Sequence, residues 1–247
     1  MERFDGSNVL RSAWLDEACR LQNKYRYMYE VYSEALGQYL PGFSRKELDF
    51  LNAHYALLAQ EGKILTALCQ ALLKLSNYIQ LSGTERRNDP WPLDVLADKS
   101  KLENGRLAAI GQFVDLISFI SGDLKNPPVL SLDNIMARAF GLGPQGFEKL
   151  ELYGAGVLFL NSIRDMQNKF LRKGEQPYEG WQIQSLIWWR QRQDFFPNDL
   201  DPPAQVLQDI VDKLMAQGLL NSRDGRCSLT REALMDSRVR SILAKSN

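Results

Sequence analysis

Two apolar seams with coiled-coil spacing constrain the first third of the chain more than any other feature of the sequence. Stepping from Trp14 alternately by four and three residues lands on Ala18, Leu21, Tyr25, Met28, Tyr32, Ala35 and Tyr39, all apolar or aromatic. Ser7 or Asn8 can cap the start, and Pro41-Gly42 stops the helix. A second seam runs from Leu48 through Leu51, Tyr55, Leu58, Gly62, Leu65, Cys69, Leu72, Ser76 and Ile79, broken only at Gly62 and Ser76. Ser44 and Glu47 stand ahead of it with capping-box spacing, Phe43 and Leu48 are placed for a hydrophobic staple, and Gly83 ends the run. Two such helices joined by a short turn predict a long antiparallel αα-hairpin, on the order of 50 Å at about 1.5 Å rise per residue. Gly62 is expected to give close helix approach or a slight bend, at a cost of roughly 1 kcal/mol relative to Ala. Tyr27 and Tyr29 lie off the first seam and offer a second contact surface, either for the rest of the chain or for an external partner.

Beyond the hairpin, residues 84–92 form a polar, proline-containing linker in which Arg86-Arg87 sits beside Glu85 and Asp89. Helices are expected at about 93–98, 105–121, 131–140 and 145–173, separated by glycine and proline breaks at 122–128 and 141–144. Gly154 and Gly156 would kink the last of these or admit a close neighbour. A helix over 181–195 carries Trp181, Ile183, Leu186, Ile187, Trp188, Trp189 and Phe195 around more of its circumference than one face can bury. It is expected to be a structural hub, with Trp188 and Trp189 as candidate partner contacts alongside Tyr27 and Tyr29.

After the breaker at 197–203, Val206, Leu207, Ile210, Val211, Leu214 and Met215 repeat with helical spacing. Gly218 closes that helix, Leu219-Leu220 begins an extended segment, Asp224-Gly225 is a hairpin turn, and 227–229 would be the return strand. Thr230 then caps a final helix with Leu234, Val239, Ile242 and Leu243 on its apolar side. This helix–hairpin–helix order, over about 45 residues, resembles the second half of a winged-helix domain; the short helix that should precede it is replaced by the proline-rich breaker. The expected fold is therefore mainly α, in three units: a coiled-coil-like hairpin over 1–83, a helical bundle over 84–196, and a winged-helix-like module with a small β-hairpin over 197–247.

Chemistry-bearing motifs are sparse. Gly141-Leu142-Gly143-Pro144-Gln145-Gly146 matches G-x-G-x-x-G, but a pyrophosphate cradle requires a strand before it, and here a helical stretch precedes it. His54 is the only histidine and flanks the second seam, so no multi-histidine metal site can form and any catalytic triad would have to use it. Cys19, Cys69 and Cys227 are odd in number and widely separated, which suggests free thiols in a reducing compartment rather than a disulfide framework or a zinc site. No catalytic, cofactor or metal residues are assigned. The N-terminus lacks the apolar core of a secretory signal, and no apolar stretch is long enough to span a bilayer. A cytoplasmic location without membrane contact is expected.

Thirty Lys and Arg balance thirty Asp and Glu, so no global charge draws the chain to nucleic acid. Locally, Arg223, Arg226, Arg231, Arg238 and Arg240 cluster near the C-terminus and could touch phosphates. The recognition-helix equivalent carries Asp209 and Asp212 and no arginine, which disfavours sequence readout. The expectation is a non-enzymatic adaptor or complex subunit that binds a protein partner or itself through the hairpin and the C-terminal module. The alternative is a nucleic-acid-associated protein using the C-terminal basic surface.

Overall fold

The structure, a computed structural model, describes residues 22–81, 105–123, 125, 130–222 and 225–245. These residues are mainly α-helical, and no strand runs among them. The expected helix at 93–98, the polar linker and the seam before residue 22 lie outside the described residues.

Each expected hairpin helix is broken in two. The first seam appears as α1 (Gln22–Tyr25) and α2 (Met28–Tyr39), parted by a turn at Arg26-Tyr27. The turn accompanies a buried Arg26 guanidinium, which donates from Nε to Gln182 Oε1 at 3.1 Å and from Nη2 to the carbonyls of Gln176 and Pro177 at 2.7 and 2.8 Å. It also stacks 3.8 Å from the ring centroid of Tyr178.

The second seam appears as α3 (Arg45–Ala59) and α4 (Ile64–Gln80). The Ser44–Glu47 capping box forms at the start of α3 as its spacing requires. At Gln60–Lys63, however, the chain folds back sharply instead of bending slightly, and α3 and α4 pack along one another. The 50 Å hairpin is thus replaced by a compact pair of helices, each roughly 25 Å or less in length. α2 packs on later elements, chiefly α5 (Gly105–Ile120) and α9 (Pro203–Ala216).

A buried ion pair accounts for the position of the fold-back. Arg192 lies on α8 (Gly180–Phe195) and is wholly buried; its Nη1 donates to the Ala59 carbonyl and its Nη2 to the Gly62 carbonyl, both at 2.6 Å. The same Nη2 lies 2.6 Å from Asp199 Oδ2, which also accepts the Ile64 backbone N–H at 3.0 Å. A cation therefore meets the carbonyl end of α3 while a carboxylate meets the amide end of α4, the arrangement that helix-terminal dipoles favour.

Two helices organise the rest. α4 packs against α3 and α9, and also against α10 (Arg231–Met235) and α11 (Ser237–Lys245). α8 packs against α1, α2, α6 (Asn134–Ala139) and α7 (Leu150–Lys169). A 3-10 turn at Gly146–Glu148 precedes α7 and breaks the expected 145–173 helix. α8 is buried around its circumference, polar residues included, as its aromatic distribution implies. Ser185 donates to the Tyr25 carbonyl, and Gln184 donates to the Ser131 carbonyl and the Tyr29 hydroxyl. One continuous apolar core runs from Tyr25 to Leu243. Gly156 permits close approach on the core side of α7, where an added Cβ would fall 2.8 Å from Phe147 and 3.0 Å from Leu132.

The C-terminal segment keeps the helix–turn–helix order of the expectation, and among the described residues its extended part amounts to one bridge position, at Arg226. Gly218 closes α9 with φ +70°, as expected of a helix terminator. Among the described residues Leu219-Leu220 forms no strand, and the Leu229 N–H donates to the Tyr39 carbonyl at the end of α2, at 2.8 Å. The buried Leu220 and Leu229 both join the core. Arg223 and Asp224 of the expected turn lie outside the described residues. The final helix is split at Asp236, whose extended backbone ends α10 and whose carboxylate accepts the Arg238 N–H at 2.8 Å to start α11.

Replacing Arg192 by Met should leave the Asp199 carboxylate buried without its partner, lowering unfolding free energy by about 3–5 kcal/mol in urea denaturation. Lys should recover only part of this, because a single ammonium cannot span the carboxylate and both carbonyls. A loss below about 1 kcal/mol for the Met variant would show that the fold-back is set elsewhere.

Candidate functional site

Of the four aromatic residues read as partner contacts, three are used internally. Tyr29 is buried on α2, accepting from Gln184 Nε2 at 3.2 Å and meeting Phe113 edge-on at 6.0 Å. Trp189 is fully buried and stacks on Tyr25 at 4.3 Å. Trp188 is buried, with Nε1 donating to Asp133 Oδ2 at 2.8 Å. Tyr27 is half-buried beneath the Arg26 guanidinium, 5.0 Å from its ring centroid. The aromatic surplus that suggested a docking surface is largely the packing of α2 against α8 and α5.

The arginines of the C-terminal cluster are dispersed in a similar way. Arg231 holds the buried Glu47 carboxylate at 2.7 Å, joining the C-terminal segment to the capping box of α3. Arg238 pairs with Asp236 at 2.7 Å, and this cation holds the Asp236 carboxyl down to about 2. Arg240 donates to Asn77 Oδ1 on α4 at 2.6 Å. Arg226 is exposed, and Arg223 lies outside the described residues. The structure therefore anchors Arg231 and Arg240 to the helical body.

Where α2, α3, α5 and α8 meet, a cavity of ≈ 40 Å³ is lined by Tyr29, Tyr32, Tyr55, Phe113, Asp133 and Trp188, among others. Burial pushes the Tyr29, Tyr32 and Tyr55 phenols far above their ordinary range, so these groups stay neutral. Burial also raises the Asp133 carboxyl, against the lowering effect of its hydrogen bonds. A raised carboxyl beside a cavity is a feature of acid–base sites, but both oxygens of Asp133 are engaged. Oδ1 accepts the Met136 N–H at 2.9 Å as the N-cap of α6, and Oδ2 accepts from Trp188. The cavity has room for a few water molecules and is far below the roughly 300–1,000 Å³ of ligand pockets. Its chemistry is that of a polar core. Among the described residues, no group of three or more His, Cys, Asp or Glu side chains could hold a metal ion.

The remaining sequence motifs also take structural places. His54 is buried on α3 with its ring 4.6 Å from Phe50. The G-x-G-x-x-G stretch is the connection from α6 to the 3-10 turn, with Gly141 in left-handed backbone at φ +70°. Cys69 is buried in α4 and Cys227 is half-buried, neither in a disulfide.

α7 has a surface that sequence reading passed over. Only Gly156, Leu160 and Ile163 of this 20-residue helix are buried, while Leu150, Leu158 and Phe170 at its cap are 83, 70 and 78% exposed. Met166 is exposed as well, and a Cβ on Gly154 would meet nothing within 4 Å. The signal was present in the sequence as apolar residues occurring all round the helix, but only burial shows which of them the core uses. No protein-family model, curated protein or solved structure matches this chain.

Replacing Asp133 by Asn should retain the helix cap and give up one acceptor at every pH. The pH-dependent part of its effect follows from the raised carboxyl. In the unfolded chain Asp133 ionises near its ordinary pKa of about 3.9, whereas the folded chain holds the proton to higher pH. The wild type therefore loses stability as pH rises from the unfolded pKa through the folded one, a loss the Asn variant lacks. Urea titrations should show the variant gaining on wild type across this window and running parallel to it below; parallel curves throughout would mean the folded carboxyl is unperturbed.

Proposed function

We propose that this chain acts without catalysis, as a helical adaptor or subunit of a multi-protein complex, and that α7 carries its docking surface. The observation behind this reading is the exposure of Leu150, Leu158 and Phe170 on one peripheral helix, in a protein whose other large apolar side chains are mostly buried. They are the three most exposed large apolar side chains among the described residues, and covering such surface with a partner is favourable. The hairpin tyrosines contribute less to the reading than their sequence positions promise, because Tyr29 lies in the core. A nucleic-acid role through the C-terminal arginines draws less support, since Arg231 and Arg240 are engaged with Glu47 and Asn77. Among the described residues no helix is long and apolar enough to cross a membrane.

The reading is tested by quantitative affinity capture of the tagged chain, with and without nuclease, comparing wild type with Leu158→Glu. Because Leu158 is solvent-exposed, the variant should unfold within about 0.5 kcal/mol of wild type. A defined set of proteins that survives nuclease and falls at least about tenfold in the variant is the expected result. Equal recovery from both would remove α7 as the docking surface, and partners released by nuclease would favour the alternative.

A further inference from the structure

We infer that the outward face of α7 is self-complementary and binds a second copy of this chain, the two helices running antiparallel. The inference rests on the docking role of α7 proposed above and names its partner. At about 100° per residue, Gly156, Leu160 and Ile163 turn toward the body of the protein. On the far side, Glu151, Ala155, Leu158, Ser162, Asp165 and Lys169 follow one another in steps of four and three and so share one stripe of the helix, mostly polar, with Leu158 its one large apolar side chain. All six are at least partly exposed.

This stripe matches its own reversal. A two-fold axis at the level of Leu160 sets Glu151 opposite the partner's Lys169, and by symmetry Lys169 opposite the partner's Glu151. It also sets the protruding Leu158 opposite the partner's Ser162. Ser162 offers a small surface there, because its hydroxyl is turned back onto the Leu158 carbonyl of its own helix at 2.9 Å. Asp165 falls opposite the partner's Ala155, so no like charges meet; its carboxylate is already held by Arg164 at 2.7 Å. A parallel arrangement would stack Glu151 on Glu151 and Lys169 on Lys169, so charge selects the antiparallel one. The antiparallel arrangement also opposes the two helix dipoles.

A contact along about 30 Å of one helix is at the small end of specific interfaces, so the dimer should dissociate at about 1–100 µM. The experiment is sedimentation velocity on the full chain over that range, for wild type, Glu151→Lys, Lys169→Glu and the double reversal. Each single reversal should weaken dimerisation about five- to tenfold, since both symmetric pairs become like-charged. The double reversal should return to within about twofold of wild type, because each pair re-forms with its signs exchanged. Both sites of substitution are exposed, and matching thermal melts would confirm that folding is unaffected. A wild type that remains monomeric at several hundred micromolar overturns the inference, as does a dimer indifferent to the single reversals or weakened further by the double. If the chain is monomeric yet loses captured proteins on Leu158→Glu, the docking reading stands and only the second copy is wrong. If neither responds, both fall.

Discussion

The buried contact between Arg192 and Asp199 is the interaction on which the rest of the fold depends. One guanidinium closes the carbonyl end of α3, and one carboxylate closes the amide end of α4, with a direct ion pair between them. The turn held there lays α3 along α4, and α4 in turn carries the surface on which α9, α10 and α11 assemble. Burying a full ion pair is expensive in a low-dielectric interior; here the cost is offset because both ions also satisfy backbone groups that helix termini leave unpaired. The pair thus specifies where the chain turns more than it adds net stability.

A second polar network repeats the strategy at the other end of α8. Arg26 reaches the Gln176 and Pro177 carbonyls and Gln182, while Gln182 and Trp181 both donate to Glu30 Oε1. The two networks fix α8 at its N-terminal and C-terminal ends, so its register against α1 and α2 is specified by polar geometry as well as by apolar packing. The C-terminal segment is tied in by similar means, through Arg231 to Glu47, Leu229 to Tyr39 and Ser76 to Leu234. These three contacts connect it to the N-terminal helices across more than 150 residues of sequence. The basic residues that suggested a phosphate contact thereby acquire a structural explanation.

That explanation bears on function. Most of the described aromatic residues and several of the arginines point inward, and α7 is the described helix that contributes least to the core relative to its length. Gly156 lets α7 lie close on Phe147 and Leu132, which holds the helix firmly by one narrow face and leaves the opposite face open. A rigidly held helix with an open face loses little conformational entropy on binding, which suits an element that docks to a partner.

Local features were legible in the sequence. The capping box at Ser44 and Glu47, the stop at Gly218, the all-round burial of α8 and the periodicity of α9 each follow from residues within one or two helical turns, and each was read correctly. The long hairpin was misread for a physical reason. A heptad seam specifies that a helix has an apolar stripe, but not that the helix continues through every position, and Gly62 with its neighbours permits either a bend or a reversal. The contacts that hold the reversal come from Arg192 and Asp199, at least 130 residues away, and no local pattern could reveal them. Likewise Tyr29, Trp188 and Trp189 are equally suited by type to a core or to an interface, and only tertiary packing assigned them inward while leaving Leu150, Leu158 and Phe170 to solvent. The sequence by itself determined that the chain is helical and where most helices begin and end, because those signals are short-range. Which helices adjoin, which charges pair and which apolar face remains open were decided by tertiary structure, because each depends on groups far apart in the chain competing for the same buried space.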